Sequence, residues 1–223
     1  MNRNITRLGF MLLLALAASR GTAQTVNDRE LPADIDPESL SRLPALTYDE
    51  LDAEGRAAWD LVVGDGPRPL TGPTAVSMHS PKVAEAFHHL NQYLRNNSVL
   101  EPRDYEVAIL CAAWEFEQAY EWSAHEGAAR RLQIPDAVID AIAYDRALTG
   151  IGERDALIIR FSRALLREHH VSSELYAEVV DVFGRQGMVD MATIIGDYVM
   201  VGFVLTAADQ RLPAGREDTL PAR

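Results

Sequence analysis

Arg103–Arg131, RDYEVAILCAAWEFEQAYEWSAHEGAARR, is the stretch whose reading decides the fold. Tyr105 to Trp114 is apolar nearly all the way round, which a helix tolerates only when other helices surround it. Four polar or acidic positions near Gln118 interrupt the apolar run, so the helix is expected to break there and restart with its N-terminal dipole free to face a ligand. Glu117, Glu121 and His125 then follow at intervals of four, a spacing that places three ionisable groups on one helical face. Tyr120 and Trp122 flank them, and polar groups set among aromatic and apolar side chains are how a small-molecule site reads. An i,i+4 Glu–His contact on an ordinary helix surface would give the same spacing.

Outward from that stretch the pattern stays helical. Ser80-Pro81 is a helix start, and Val83, Phe87, Leu90 and Leu94 continue it at helical spacing. Thr47-Tyr48-Asp49-Glu50 is a capping box expected to open a helix with Leu51, Ala58, Leu61 and Val62 inward. Gly64 to Pro73 is a loop of the length that often borders a site. Ile134-Pro135-Asp136 starts a short helix, and Glu153–His169 turns Leu157, Phe161, Leu165 and Leu166 inward. A helix capped by Ser172 is expected to stop at Gly184 and Gly187, before a last apolar helix from Met188 to Ala208 that carries Asp190 and Asp197. Gly196 and Gly202 thin one face of that last helix for close approach. With no strand periodicity and no repeat, the expected fold is all-α.

Composition excludes several functions. Acidic residues number 33 against 21 basic ones, for a formal charge of −12, and Lys82 is the single lysine. Nucleic-acid phosphates need neutralising by Lys and Arg, so no nucleic-acid partner is expected. Arg3 and Arg7 precede an apolar run from Leu8 to Ala18 and a small-residue site at Gly21-Thr22-Ala23, so residues 1–23 read as a signal peptide and the protein as exported, periplasmic or extracellular. Its removal takes three arginines and no acid, moving the charge to −15. That run, and the uncharged residues between Asp197 and Asp209, are too short for a membrane span. Residues 24–46 read as an extended arm, 47–212 as one helical domain and 213–223 as a flexible tail. Cys111 is the only cysteine; it permits no internal disulfide, and among Leu110, Ala112 and Trp114 it reads as packing.

Glu106, Tyr120-Glu121-Trp122 and His125, followed by a small-residue and arginine run, resemble the carboxymuconolactone decarboxylase-like family of the alkylhydroperoxidase D-like superfamily. The resemblance covers roughly Tyr48 to Leu212, including GERDALIIRFSRALL and IIGDYVMVGFVLTAAD. It implies an alkylhydroperoxidase D-like helical bundle that assembles as a homo-oligomer, a trimer or a multiple of trimers. Alkylhydroperoxidase relatives carry Cys-x-x-Cys-x-x-x-His. Matching that motif on His125 puts Gln118 and Glu121 at the two cysteine positions, while Glu106 and His125 match the proton-relay Glu and His and Tyr120 stands where a second relay His is found. The acid–base half of the motif remains and the dithiol is gone, which removes the sulfur pair that disulfide exchange needs.

The resemblance therefore implies a lyase, a decarboxylase working without a cofactor on a small carboxylated substrate, with Glu106, Glu121 and His125 as the catalytic groups. Tyr120, Trp122, Arg103 and Arg130 are the candidate substrate-binding residues, with Arg131 a further anion anchor and Tyr93 a further hydrogen-bond donor. A divergent peroxidase-related protein of peroxiredoxin type and a non-catalytic oligomeric binding protein stay open as alternatives. So does a metal at Glu117, Glu121 and His125, which would need ligands from elsewhere. Glu85-x-x-His88 resembles half of a di-iron motif, has no second copy and reads as a solvated face.

Overall fold

The computed structural model describes residues 31–222, and the expected signal peptide lies outside the described residues. Eight α-helices make up the described chain: α1 (Ala53–Val62), α2 (Gly72–Ser77), α3 (Pro81–Asn96), α4 (Pro102–Glu115), α5 (Ala119–Arg131), α6 (Asp136–Ala143), α7 (Glu153–Arg163) and α8 (Ser173–Ala207). Among the described residues there is no strand, only an isolated bridge between Asp36 and Ser41. The protein is all-α.

Helix α4 is the axis of the bundle. Every residue from Asp104 to Trp114 is buried, and α5, α6, α7 and α8 pack around it. A helix apolar on all sides has no solvent face to offer, so neighbours must cover it in every direction. The largest fully buried side chains include Ile109 and Leu110 of α4, Trp122 of α5, Ile139 of α6, Ile158 and Phe161 of α7, and Ile194 and Ile195 of α8.

Two expected boundaries fall elsewhere. The Thr47–Glu50 capping box forms, with the Thr47 N–H donating to Glu50 Oε2 at 3.2 Å, but it opens only a 3-10 turn. The α-helix starts later, where Asp52 accepts from the Gly55 N–H at 2.8 Å. That later start turns Ala58 and Trp59 inward and leaves Leu61 42 % exposed. On α8, Gly184 breaks the helical path as expected (φ 73°, ψ 173°), and the helix resumes at once. Gly187 lies within the resumed helix. A Cβ there would stand 2.8 Å from the Phe183 Cβ, with Val99 and Leu100 at ordinary contact distance, so this glycine avoids a clash with Phe183 rather than ending a helix. Gly202 likewise admits Gln118, whose Cγ would lie 2.8 Å from an added Cβ, whereas Gly196 faces open space.

Helix α8 is long and apolar enough by length and composition to cross a membrane, and half of its most apolar window is buried in the bundle. Asp190 and Asp197 are buried on it. Helix α7 ends in a π-helical turn, Ala164–Glu168, with His169 in the left-handed region. The arm before residue 46 is tied to the end of α8 by backbone bonds from Arg42 N–H to Ala208 O (2.7 Å) and from Arg211 N–H to Leu40 O (2.8 Å). The segment after Pro213, expected as a loose tail, lies against α5: Arg216 stacks on Tyr120 and Thr219 hydrogen-bonds Glu126.

Candidate active site

The site is made by the break between α4 and α5. Phe116 ends α4, Glu117 takes a left-handed φ of 52°, and Gln118 is the N-cap from which α5 restarts. The chain folds back, and α5 runs along α4 as the second arm of a helical hairpin. Glu117 therefore belongs to neither helix, which corrects the expectation that it shares a face with Glu121 and His125. Its left-handed conformation has no sequence signal, since the residue is not the glycine that such a turn favours.

Across the hairpin His125 meets two carboxylates. Its Nδ1 lies 2.6 Å from Glu106 Oε2, and its Nε2 lies 3.5 Å from Glu121 Oε2. All three residues are buried, with Glu106 only 6 % exposed. Against an ionised carboxylate Nδ1 can only donate, which fixes the orientation of the ring. The Nε2 separation is too long for a strong hydrogen bond, so that nitrogen keeps a proton or a lone pair available. Burial alone would lower the imidazole pKa, but hydrogen bonds and charge from Glu106 and Glu121 outweigh it and raise His125 above its usual value. The imidazolium is thereby favoured more than in a free histidine. Glu121 sits in the first turn of α5, where the helix dipole favours a negative charge.

Helices α3 and α8 supply a second layer. The Tyr198 ring stands edge-on to His125, centroids 4.9 Å apart, and its hydroxyl accepts from Arg95 Nη2 at 2.7 Å. Arg95 also lies over the Tyr105 ring, 4.7 Å from its centroid. The Tyr105 hydroxyl donates to Asn91 Oδ1 at 3.3 Å, and Asn91 Nδ2 donates to Asp197 Oδ2 at 3.1 Å. Burial pushes the Tyr198 phenol well up. Burial, with the charge of Glu121 adding to it, raises the Asp197 carboxyl to about 6, and its Oδ1 has no hydrogen-bond partner.

Glu121 and His125 open onto a cavity of about 380 Å³. Phe87, Tyr120 and Val201 form part of its apolar wall, and His88, Arg95 and Arg216 add polar groups. The Tyr120 ring is held firmly. Its hydroxyl is 3.0 Å from Thr71 Oγ1, and Gly72 (φ +88°) passes so close that an added Cβ would stand 2.5 Å from that hydroxyl.

Of the seven residues singled out from sequence, the structure brings Glu106, Glu121, His125 and Tyr120 together. The other three lie elsewhere. Trp122 is 1 % exposed and packs in the core. Arg103 Nη2 donates to both Asp155 oxygens at 3.0 Å, and Arg130 pairs with Glu126 and Asp136 on the surface. Arg131 is exposed and Tyr93 bonds Asp190; neither lines the cavity. In an acid-rich chain an arginine near the motif finds a carboxylate of the same chain first. His88, read as part of a solvated face, does line the cavity, while Glu85 pairs with Lys82. No cluster of three or more metal-ligating side chains in metal-binding geometry occurs among the described residues.

Sequence reasoning missed Asn91, Arg95, Asp197, Tyr198 and Arg216 as members of this site. A signal existed for Asp197, a lone acid in an otherwise uncharged helical run.

No family model matches the sequence, and no curated protein matches it. Two solved structures share its architecture. One is described as an alkylhydroperoxidase AhpD core, a peroxidase-related protein from Ralstonia eutropha JMP134 (TM-score 0.61, 17 % identity, 78 % of this chain and 93 % of that one). The other is a variant of the debrominase Bmp8 in complex with 2,3,4-tribromopyrrole (TM-score 0.55, 15 % identity, 73 % and 85 %). An α4–α5 hairpin wrapped by helices, with these two neighbours, gives the chain the alkylhydroperoxidase D-like fold.

Proposed function

We propose that the protein is a cofactor-independent lyase of the carboxymuconolactone decarboxylase-like kind, acting on a small carboxylated molecule. The observation that supports this is the Glu106–His125–Glu121 constellation, buried on one side and opening onto a cavity on the other. A volume of about 380 Å³ falls in the range of small-molecule sites. In the proposed reaction the bond from carbon to the carboxylate breaks, CO₂ leaves, and the electron pair stays on the substrate as a delocalised carbanion or dienolate. His125, kept charged by Glu106, gives its Nε2 proton to that carbon, and solvent restores it. Glu121, 3.5 Å from Nε2, steers that proton. A dithiol peroxidase has little to work with here: Cys111 is buried outside the cavity, and burial pushes its thiol up to about 12.

The test begins with CO₂ release from a panel of small unsaturated and lactone carboxylic acids. His125→Gln keeps an amide to donate to Glu106 but carries no titrating proton, and Glu121→Gln keeps shape without charge. Each is expected to lower kcat about 10²–10⁴-fold, and the double variant should lose far less than the product of the two. A His125→Gln protein with wild-type kcat would make the pair structural and leave a binding protein in place of an enzyme.

A further inference from the structure

The cavity reverses the charge balance of the chain. Acidic residues outnumber basic ones over the whole sequence, yet among the cavity-lining side chains Arg95 and Arg216 stand against one acid, Glu121, with His88 and His125 beside them. A cleft with that sign attracts an anion. Arg95 is held by the Tyr198 hydroxyl and the Tyr105 ring. Arg216 is held differently. Its guanidinium lies 4.7 Å from the centroid of the Tyr120 ring, a stacking contact that fixes its plane without using its N–H donors. Its Nη1 is buried and has no hydrogen-bond partner. No ion pair or side-chain hydrogen bond occupies this guanidinium among the described residues, and a carboxylate oxygen is the group that best pairs with one.

The setting of Arg216 is built rather than incidental. Tyr120, on which it stacks, is fixed at its hydroxyl end by Thr71 and by the close backbone of Gly72. The Gly72 N–H in turn donates to Gln210 Oε1 at 3.0 Å, which links the α2 start to the chain just before the Arg216 segment. Further on, Thr219 donates to Glu126 of α5, one residue after His125. The segment is thus attached on both sides of Arg216.

We infer that the C-terminal segment supplies the anion anchor of this site, with the Arg216 guanidinium donating to one oxygen of the ligand's carboxylate at the cavity wall. This rests on the proposed function for its choice of carboxylate, but it assigns the anchor to a residue far from the α4–α5 motif. It also replaces Arg103 and Arg130, which their own ion pairs occupy.

Benzoate and benzamide are suitable probes, alike in shape and different in charge. Calorimetric titration of the full chain at neutral pH is expected to show benzoate binding at least ~10-fold more tightly than benzamide, as a charge-assisted bond to an arginine implies. Arg216→Gln should abolish that preference by weakening benzoate and leaving benzamide unchanged. Arg216→Lys, which keeps the charge and loses the stacked plane, should retain part of it. Thermal melts of each variant check the fold, and should Arg216→Gln fail to fold, Arg216→Lys decides. Equal binding of benzoate by wild type and a folded Arg216→Gln protein overturns the inference, as does a wild-type chain that prefers benzamide or binds neither probe. An anchor that persists while no acid in the panel is decarboxylated would leave this inference standing and remove the lyase. Turnover that survives Arg216→Gln with unchanged KM would do the reverse.

Discussion

Asp104 and Glu106 are two residues apart on α4, both buried, and have opposite fates. Asp104 is fully buried and meets the guanidinium of Arg154 through both oxygens, with Nε 2.7 Å from Oδ1; it also accepts from the Glu101 N–H at 3.1 Å. Glu106 meets His125. An arginine does not lose its proton in a protein, so Asp104 faces a partner that does not titrate. A histidine exchanges its proton near neutral pH, and here its far nitrogen borders a cavity. Burial of a carboxylate therefore says little about chemistry. What separates the structural acid from the candidate catalytic one is whether its partner can titrate.

The comparison can be broken by exchanging readouts. His125→Gln should act on turnover, with the largest effect of all. Asp104→Asn should act on stability. It removes the charge opposite a partly buried Arg154 and weakens the cap of α4, and breaking a buried pair costs about 3–5 kcal/mol at full burial. Because the Arg154 side chain is 35 % exposed, a loss of about 2–4 kcal/mol is expected, read as a lower urea midpoint with unchanged slope. Folded Asp104→Asn should keep wild-type kcat. A variant that lost kcat at full stability would show that the two acids act as one network.

Asp197 is a third case, a buried acid whose hydrogen-bond partner, Asn91, is neutral. Burial raises its pKa to about 6 from an unfolded value near 3.8. A carboxyl raised in the folded state favours folding when protonated, so stability falls as pH rises from about 4 to about 6 and the full penalty applies above that. Asp197→Asn removes the penalty and is expected to stabilise the protein at pH 7 by on the order of 2 kcal/mol, with the gain vanishing near pH 4. Melting curves of both proteins across that range check it. A gain that is independent of pH would mean that the side chain is better packed rather than uncharged.

Much of the fold was legible because α4 is apolar on every face, a pattern with few solutions other than a surrounded helix. Glu106 and His125 were legible through family spacing, and the α4–α5 break through the polar run around Gln118. The side of the cavity that carries the arginines was not. Arg95, Tyr198 and Arg216 come from α3, α8 and the C-terminal segment, and in sequence each is an ordinary side chain on its own element. Arg103 and Arg130 were the natural guesses because they flank the motif, but proximity in sequence cannot reveal Asp155 or Glu126 as partners already in place. Glu117 misled for a different reason: a four-residue interval has meaning only within one helix, and the helix had ended.

The smallest expected effect concerns Cys111, which lies on the same helix as both acids. It is 6 % exposed and its thiol is pushed up to about 12, first by burial, with Ser162 and the nearby arginines opposing. A thiol in that state is almost wholly protonated at neutral pH, and the thiolate is the reactive form. The cysteine borders only a small crevice with Trp114, Ile142 and Ile159, separate from the cavity that His125 faces. Cys111→Ala should therefore leave kcat and KM unchanged and cost about 1 kcal/mol or less, since little volume is lost from a site that already holds a crevice. Alkylation by iodoacetamide of the native protein should be slow and become fast only in denaturant. Rapid modification of the folded chain with loss of turnover would place a reactive sulfur beside the site, and α4 would then carry redox chemistry in addition to its buried acids.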